Sequence, residues 1–121
     1  MSRPSLAVII STIEENLNSF ITNFSFKNLK NADEVIIVIQ GLKGKSVIPE
    51  LSSYKVISDE NYGLSRSRNI GANNLSCDFI WFLDDDVVLI DNSIDKLKSH
   101  LEIHYSFDLH TVRMQYLDGR P

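Results

Sequence analysis

The chain has 121 residues, of which 43% are hydrophobic, and its formal net charge is −4. This length fits one domain spanning residues 1–121, and the apolar content excludes a disordered chain. The acidic balance disfavours nucleic acid as a partner, the lone cysteine excludes an internal disulfide, and no apolar run is long enough to cross a bilayer. We therefore expect a globular protein of the cytoplasm.

The first half of the chain combines two apolar runs with one helical pattern. Residues 6–10 and 35–39 are β-branched runs that predict buried strands. Between them, apolar residues recur at helical spacing from Ile13 to Phe24. Ser11 lies three residues before Glu14, and this spacing predicts a capping box at the start of the helix.

The second half of the chain predicts a similar alternation of strands and helices. The predicted elements are an irregular segment over residues 44–53, strands over 54–57, 78–83 and 107–116, a helix over 63–75, and a later helix capped by Asn92 and Ser93. Trp81 and Phe82 lie in the middle of a predicted strand, so we expect both in the core.

The predicted order is β-α-β-loop-β-α-β-α-β. Strands buried on both faces and separated by helices predict an α/β fold with an open, mostly parallel sheet flanked by helices. Such sheets bind ligands beyond the carboxyl ends of their strands. Functional side chains are therefore expected immediately after each strand.

Three consecutive aspartates, Asp84, Asp85 and Asp86, directly follow the apolar run of residues 79–83. Adjacent carboxylates repel one another, so a cluster of this kind favours a bound cation. Oxygen ligands suit Mg²⁺ or Mn²⁺, which usually also bind the phosphates of a substrate. Alternation along an extended segment would turn Asp84 and Asp86 toward one site and Asp85 toward another.

A basic segment is the expected source of phosphate binding. Gly63 permits a tight turn into the predicted helix, whose first N–H groups favour an anion. Arg66 and Arg68 add two permanent positive charges with planar groups suited to phosphate.

These segments together resemble the family 2 glycosyltransferases, inverting enzymes with the GT-A fold, which is Rossmann-like. The resemblance covers residues 5–100. The segments that carry it are Val8-Ile-Ile-Ser-Thr12, Gly63-Leu-Ser-Arg-Ser-Arg-Asn-Ile-Gly-Ala72 and Phe79-Ile-Trp-Phe-Leu-Asp-Asp-Asp86.

The resemblance implies a nucleotide-diphospho-sugar donor, of the UDP or dTDP type, an unknown acceptor, and Mn²⁺ or Mg²⁺ as cofactor. It places Thr12 at the base, Arg68 near the nucleotide, Asp84 near the ribose and the metal, and Asp86 as the principal metal ligand. The full set of expected donor-binding residues is Ser11, Thr12, Glu14, Gln40, Arg66, Arg68, Asp84 and Asp85. Gln40 stands where the family usually has an aspartate, and its amide can still pair with a base edge.

The family's catalytic base and acceptor-binding elements lie beyond the Asp-x-Asp motif, and 35 residues follow Asp86 here. The resemblance therefore implies the N-terminal, nucleotide-sugar-binding half of a truncated catalytic domain, with no catalytic residue assigned. One alternative is a non-catalytic metal- and nucleotide-sugar-binding fragment, with a homo-oligomer covering its exposed sheet surface. A more remote alternative is a haloacid-dehalogenase-like phosphatase, in which Asp84 would be the nucleophile. Peripheral association with the inner face of a membrane is a further open alternative to a freely cytoplasmic location.

Overall fold

In the part of the chain that the structure describes, the sheet has four strands, and all of them run in the same direction. The computed structural model describes residues 3–42, 48–106 and 108–110. The strands are β1 (Leu6–Ile13), β2 (Glu34–Gln40), β3 (Lys55–Asp59) and β4 (Phe79–Asp84), in the spatial order β3-β2-β1-β4. Every pairing is parallel. The prediction of an open α/β sheet is confirmed, and the carboxyl ends of the four strands meet at one edge, the carboxyl edge.

Within the described residues, three α-helices and three short 3₁₀ helices accompany these strands. The α-helices are α1 (Leu17–Asn23), α2 (Leu64–Ala72) and α3 (Ser93–His104), and the 3₁₀ helices are Glu14–Asn16, Phe26–Leu29 and Pro49–Leu51. No helix in the described ranges is long and apolar enough to cross a bilayer.

The two faces of the sheet carry separate apolar clusters. On one face, here called the α1 face, Val8 and Ile10 of β1 pack with Phe20 of α1 and with Phe24, which directly follows α1. The residue between them, Ile9, belongs to the cluster on the opposite face, here called the α2 face. The alternation of neighbouring residues between faces is what a strand buried on both sides requires.

Helix α2 approaches the sheet closely at Gly71. A Cβ atom added there would lie 2.6 Å from Cγ2 and 3.0 Å from Cδ1 of Ile9, which is almost fully buried. The absence of a side chain at residue 71 therefore sets the distance between α2 and β1.

The predicted capping box is wrong, because β1 continues past Ser11. Residues Ser11, Thr12 and Ile13 pair with residues 38–40 of β2, so Ser11 lies in the strand and cannot cap a helix. Glu14 begins a 3₁₀ helix with no side-chain cap, and α1 itself begins at Leu17. Continued strand pairing thus prevails over the local capping pattern.

Other elements of the structure also differ from the predictions. Asn92 directly precedes α3 with a φ of 64°, but its side chain makes no capping hydrogen bond. Residues 49–51 of the segment predicted to be irregular form a 3₁₀ helix. The strand predicted over residues 107–116 lies outside the described residues except for 108–110, which are not in a strand.

Helix α3 is attached at the edge where the strands begin, here called the amino edge. Lys98 Nζ lies 3.0 Å from Asp33 Oδ2, which also accepts the N–H of Leu6 at 2.7 Å. Burial alone would raise the pKa of Asp33, but these two hydrogen bonds, together with the positive charges of Lys98 and Arg3, hold that pKa below its usual range. Asp95 of α3 accepts both hydrogen bonds from the amide of Asn31, so the acidic side of α3 is also held near this edge.

Candidate functional site

The carboxyl edge brings together most of the side chains that the sequence analysis selected. Ser11 of β1 is aligned with Asp84 of β4, and Ile13 of β1 with Gln40 of β2. Because successive residues of a strand face opposite sides, the selected side chains are divided between the α2 face and the α1 face. The site therefore has two sides that meet at the ends of β1 and β4.

On the α2 face, the ends of β1 and β2 are tied to the start of α2. The buried Ser67 hydroxyl donates a hydrogen bond to Ser11 Oγ over 2.6 Å. The side-chain amide of Gln40 donates to the carbonyl oxygen of Gly63 at 2.9 Å. Gly63 has a φ of 135°, which a residue with a side chain rarely adopts. This turn places the start of α2 directly beside Gln40.

Arg68 lies between an aspartate and an aromatic ring. Its Nη2 is 3.8 Å from Asp84 Oδ1, and its guanidinium carbon is 5.5 Å from the ring centroid of Phe82. The two charged side chains are 40% and 56% exposed, so their ion pair contributes less than about 1 kcal/mol. Arg68 can therefore exchange Asp84 for a phosphate oxygen at little cost.

The prediction that Phe82 lies in the core is wrong, since its side chain is 41% exposed. Phe82 belongs to β4, an edge strand of the described sheet, while α2 packs against β1 and β2. Trp81, which faces the opposite side, does pack against the larger apolar cluster. At this edge Phe82 stays partly exposed, and the guanidinium of Arg68 lies over its ring.

Arg66 is held at the end of β3 and not beside Asp84. Its Nε lies 2.6 Å from Asp59 Oδ2 and its Nη2 lies 3.3 Å from Asp59 Oδ1, a two-point contact with the end of β3. Hydrogen bonds from Arg66 and from the Asn61 N–H hold the pKa of Asp59 below its usual range. The structure thus brings Arg66 to β3 and not to the aspartates after β4.

Acid is expected to destabilise the fold, because protonation of Asp59 weakens its contact with Arg66. The pKa of Asp59 is lower in the folded chain than in the unfolded one, so its contribution is complete above about pH 4 and is lost as the pH falls below that value. The variant D59N should show a smaller decrease in melting temperature between pH 5 and pH 3 than the unmodified chain. Equal decreases would contradict this, and E60Q, which changes a neighbouring exposed acid, is the control.

On the α1 face, Thr12 and Asp85 are joined. The buried Thr12 hydroxyl donates to Asp85 Oδ2 at 2.8 Å, and Asn16 Nδ2 lies 3.4 Å from the same oxygen. The expected alternation separates Asp84 from Asp85 but does not extend to Asp86, because β4 ends at Asp84 and a turn follows, closed by the Val87 N–H on the Asp84 carbonyl. Asp85 and Asp86 consequently line one cavity.

The aspartates after β4 supply an incomplete set of metal ligands. Asp84 and Asp86 are both exposed, and no group of three or more His, Cys, Asp or Glu side chains in the described part of the chain could hold an ion. Mg²⁺ is commonly bound by one or two carboxylates together with substrate phosphates. The donor set therefore suits a dication whose remaining ligands are phosphate oxygens and water.

One contact beside the end of β2 was not predicted from the sequence. The Tyr62 hydroxyl donates to Glu15 Oε1 at 2.8 Å, which raises the pKa of Tyr62 and lowers that of Glu15. The Tyr62 ring lies against Gly41, whose φ is 85° and where a Cβ would collide with the phenol. Gly41 after β2 is the one sequence signal for this contact. Glu14, a selected residue, is exposed, and among the described residues no hydrogen bond joins it to the others.

The fold and the charged carboxyl edge define an α/β domain of the GT-A-like class. Comparison with known families gives the particular assignment: the model of Glycosyl transferase family 2 matches residues 7–118. The chain belongs to this family, which implies a nucleotide-sugar donor and an acceptor. No curated protein matches the chain. The family match favours glycosyl transfer over the phosphatase alternative.

Proposed function

We propose that this chain forms the donor site of a metal-dependent, inverting glycosyltransferase that takes a UDP- or dTDP-linked sugar. The observation that carries the proposal is the grouping at the carboxyl edge of Gln40, a weakly held Arg68, and the exposed carboxylates of Asp84 and Asp86. We assign Gln40 to the base, Arg68 to the diphosphate, and the two carboxylates to the metal ion that accompanies the diphosphate.

The amide of Gln40 is proposed to serve the base. Its NH₂ group donates one hydrogen bond to the carbonyl of Gly63, so its second N–H and its oxygen are the groups left for a base edge. Uracil and thymine present an N–H beside a carbonyl oxygen on their pairing edge, which matches this donor and acceptor. The proposal of UDP or dTDP in particular rests on the family resemblance.

The diphosphate is proposed to lie between Arg68 and the aspartates. Arg68 offers a permanent positive charge that the ring of Phe82 holds at the edge of the sheet. Asp84 and Asp86 would hold Mn²⁺ or Mg²⁺, which when bound neutralises charge on the leaving nucleoside diphosphate. The chain's own part is to orient the diphosphate so that the anomeric carbon faces an acceptor.

Transfer with inversion also needs a base to take the proton of the acceptor hydroxyl. Two acids of α3 are held elsewhere: Asp95 by Asn31, and Glu102 by Arg3, whose Nε is 2.8 Å from its carboxylate. Neither of these two acids is therefore proposed as that base, and the second candidate is a domain that binds the donor without turning it over. The two candidates differ in whether the isolated chain releases UDP from a UDP-sugar.

Calorimetric titration of UDP, dTDP, CDP and ADP tests the proposal, with Mn²⁺ and after treatment with EDTA. A nucleotide at about 100 times its dissociation constant should also stabilise the chain by about 2.7 kcal/mol in thermal unfolding. Equal affinity with and without Mn²⁺ would refute the metal role, and failure of all four nucleotides to bind would refute the donor site. Release of UDP from a UDP-sugar then separates the enzyme from the binding domain.

A further inference from the structure

The loop between β3 and α2 lies over the end of β2. Gln40, the last residue of β2, is only 3% exposed, and its amide donates to the carbonyl oxygen of Gly63 in this loop. The ring of Tyr62 lies against Gly41, the next residue along the chain from Gln40. The groups of Gln40 that remain for a base edge are therefore covered in this structure, and a nucleobase can reach them only if the loop moves.

Hydrogen bonds to the backbone hold both ends of this loop. The Asn61 N–H donates to Asp59 Oδ1 at 3.1 Å, where β3 ends. The carbonyl oxygen of Gly63 accepts the Ser67 N–H at 3.0 Å, where α2 begins. Movement of the loop is therefore most easily accommodated between Asn61 and Gly63, which is where Tyr62 lies.

A side-chain hydrogen bond holds Tyr62 across the end of β2. The Tyr62 hydroxyl donates to Glu15 Oε1 at 2.8 Å, and Glu15 lies in the 3₁₀ helix that follows β1. Because the strands are ordered β3-β2-β1, this hydrogen bond joins the loop after β3 to the segment after β1 and spans the end of β2. Both side chains are exposed, so each can bind water instead when the loop opens.

We propose that Tyr62 is a gate: its hydrogen bond to Glu15 keeps the loop closed over Gln40, and a nucleobase reaches Gln40 only after this bond opens. The inference rests on the proposed function in one respect, since it takes the ligand of Gln40 to be the base of the nucleotide. With such a gate, the association rate constant is proportional to the fraction of open chains, whereas the dissociation rate constant of the open complex does not depend on that fraction. Removing the hydrogen bond should therefore accelerate binding.

The experiment measures the binding kinetics of UDP with Mn²⁺ on the immobilised full chain by surface plasmon resonance. The variant Y62F removes the donor but keeps the ring, and E15A removes the acceptor. The matched control for the first is Y105F, because Tyr105 follows α3 and is 55% exposed, close to the 53% of Tyr62. The matched control for the second is E50A, because Glu50 is an exposed glutamate of another 3₁₀ helix.

We expect Y62F and E15A each to raise the association rate constant of UDP at least about threefold over the controls, with the dissociation rate constant unchanged. The double variant should show no further increase, because both substitutions remove the same hydrogen bond. Association rate constants equal to those of the controls would overturn the proposal. Faster dissociation without faster association would also overturn it, since Tyr62 would then hold the bound nucleotide and not gate its entry.

A second measurement needs no nucleotide and separates this inference from the proposed function. The side-chain NH₂ group of Gln40 is buried and hydrogen-bonded, so its exchange with water, followed by NMR on the ¹⁵N-labelled chain, reports the opening of the loop. We expect this exchange to be faster in Y62F and E15A than in the controls by the same factor as association. Faster exchange without UDP binding would refute the donor site and support the closure of the loop over Gln40. UDP binding with equal exchange in all four variants would refute the gate alone.

Discussion

Substituting Asp86 by asparagine is expected to weaken Mn²⁺-dependent binding of UDP at least about 100-fold, as judged from the loss of a charged metal ligand. The Asp86 side chain is exposed, and within the described residues it makes no hydrogen bond or ion pair. The D86N chain should therefore keep its fold and its melting temperature while losing affinity. Calorimetric titration of UDP with and without Mn²⁺ provides the measurement.

Asp91 offers the matched control, because it is an exposed aspartate five residues further along that does not line the cavity beside Asp86. The D91N chain has the same change in net charge and should bind UDP like the unmodified chain. If D86N and D91N bind UDP equally well in Mn²⁺, Asp86 is not a metal ligand. The D84N chain should also lose affinity, since Asp84 is the other proposed ligand.

Substituting Gly71 by valine is expected to destabilise the fold by about 1–3 kcal/mol or more, the usual cost of forcing extra atoms into a packed core. Even a Cβ atom would approach Ile9 Cγ2 to 2.6 Å, and Ile9 is almost fully buried within β1. Helix α2 must then move away from the sheet, which would also strain the Ser67 to Ser11 hydrogen bond. Urea unfolding of the variant and the unmodified chain gives the difference in free energy.

The control for this variant is N69V, which places the same β-branched residue at an exposed position of α2. It reports the loss of helix propensity alone, which is below about 1 kcal/mol. A G71V chain that unfolds at the same urea concentration as N69V would show that α2 does not pack on Ile9 as described.

The sheet and the location of the site follow from local patterns in the sequence. Buried parallel strands are apolar runs, so β1, β2 and β4 are visible as runs of β-branched or aromatic residues, and the acids after β4 mark a strand end. The predicted helix start at Ser11 is wrong because the pairing of Ser11 and Thr12 with β2 depends on residues more than twenty positions away. A capping pattern is local and contains no information about that distant strand pairing.

The partners of the charged residues could not be predicted from the sequence. Arg66 and Arg68 are two positions apart and of the same type, yet one contacts Asp59 and the other Asp84. Which acid each arginine meets depends on the rotation of α2 and on its distance from the sheet, which Gly71 sets. The exposure of Phe82 likewise depends on the spatial order of the strands, which places β4 at an edge of the described sheet.

The adjacent residues Asp84 and Asp85 contact groups on opposite faces of the sheet, Arg68 on one and Thr12 on the other. One peptide unit therefore joins the two sides of the site. Occupancy of either side should change the affinity of its neighbour, and by thermodynamic linkage the effect must be equal in both directions.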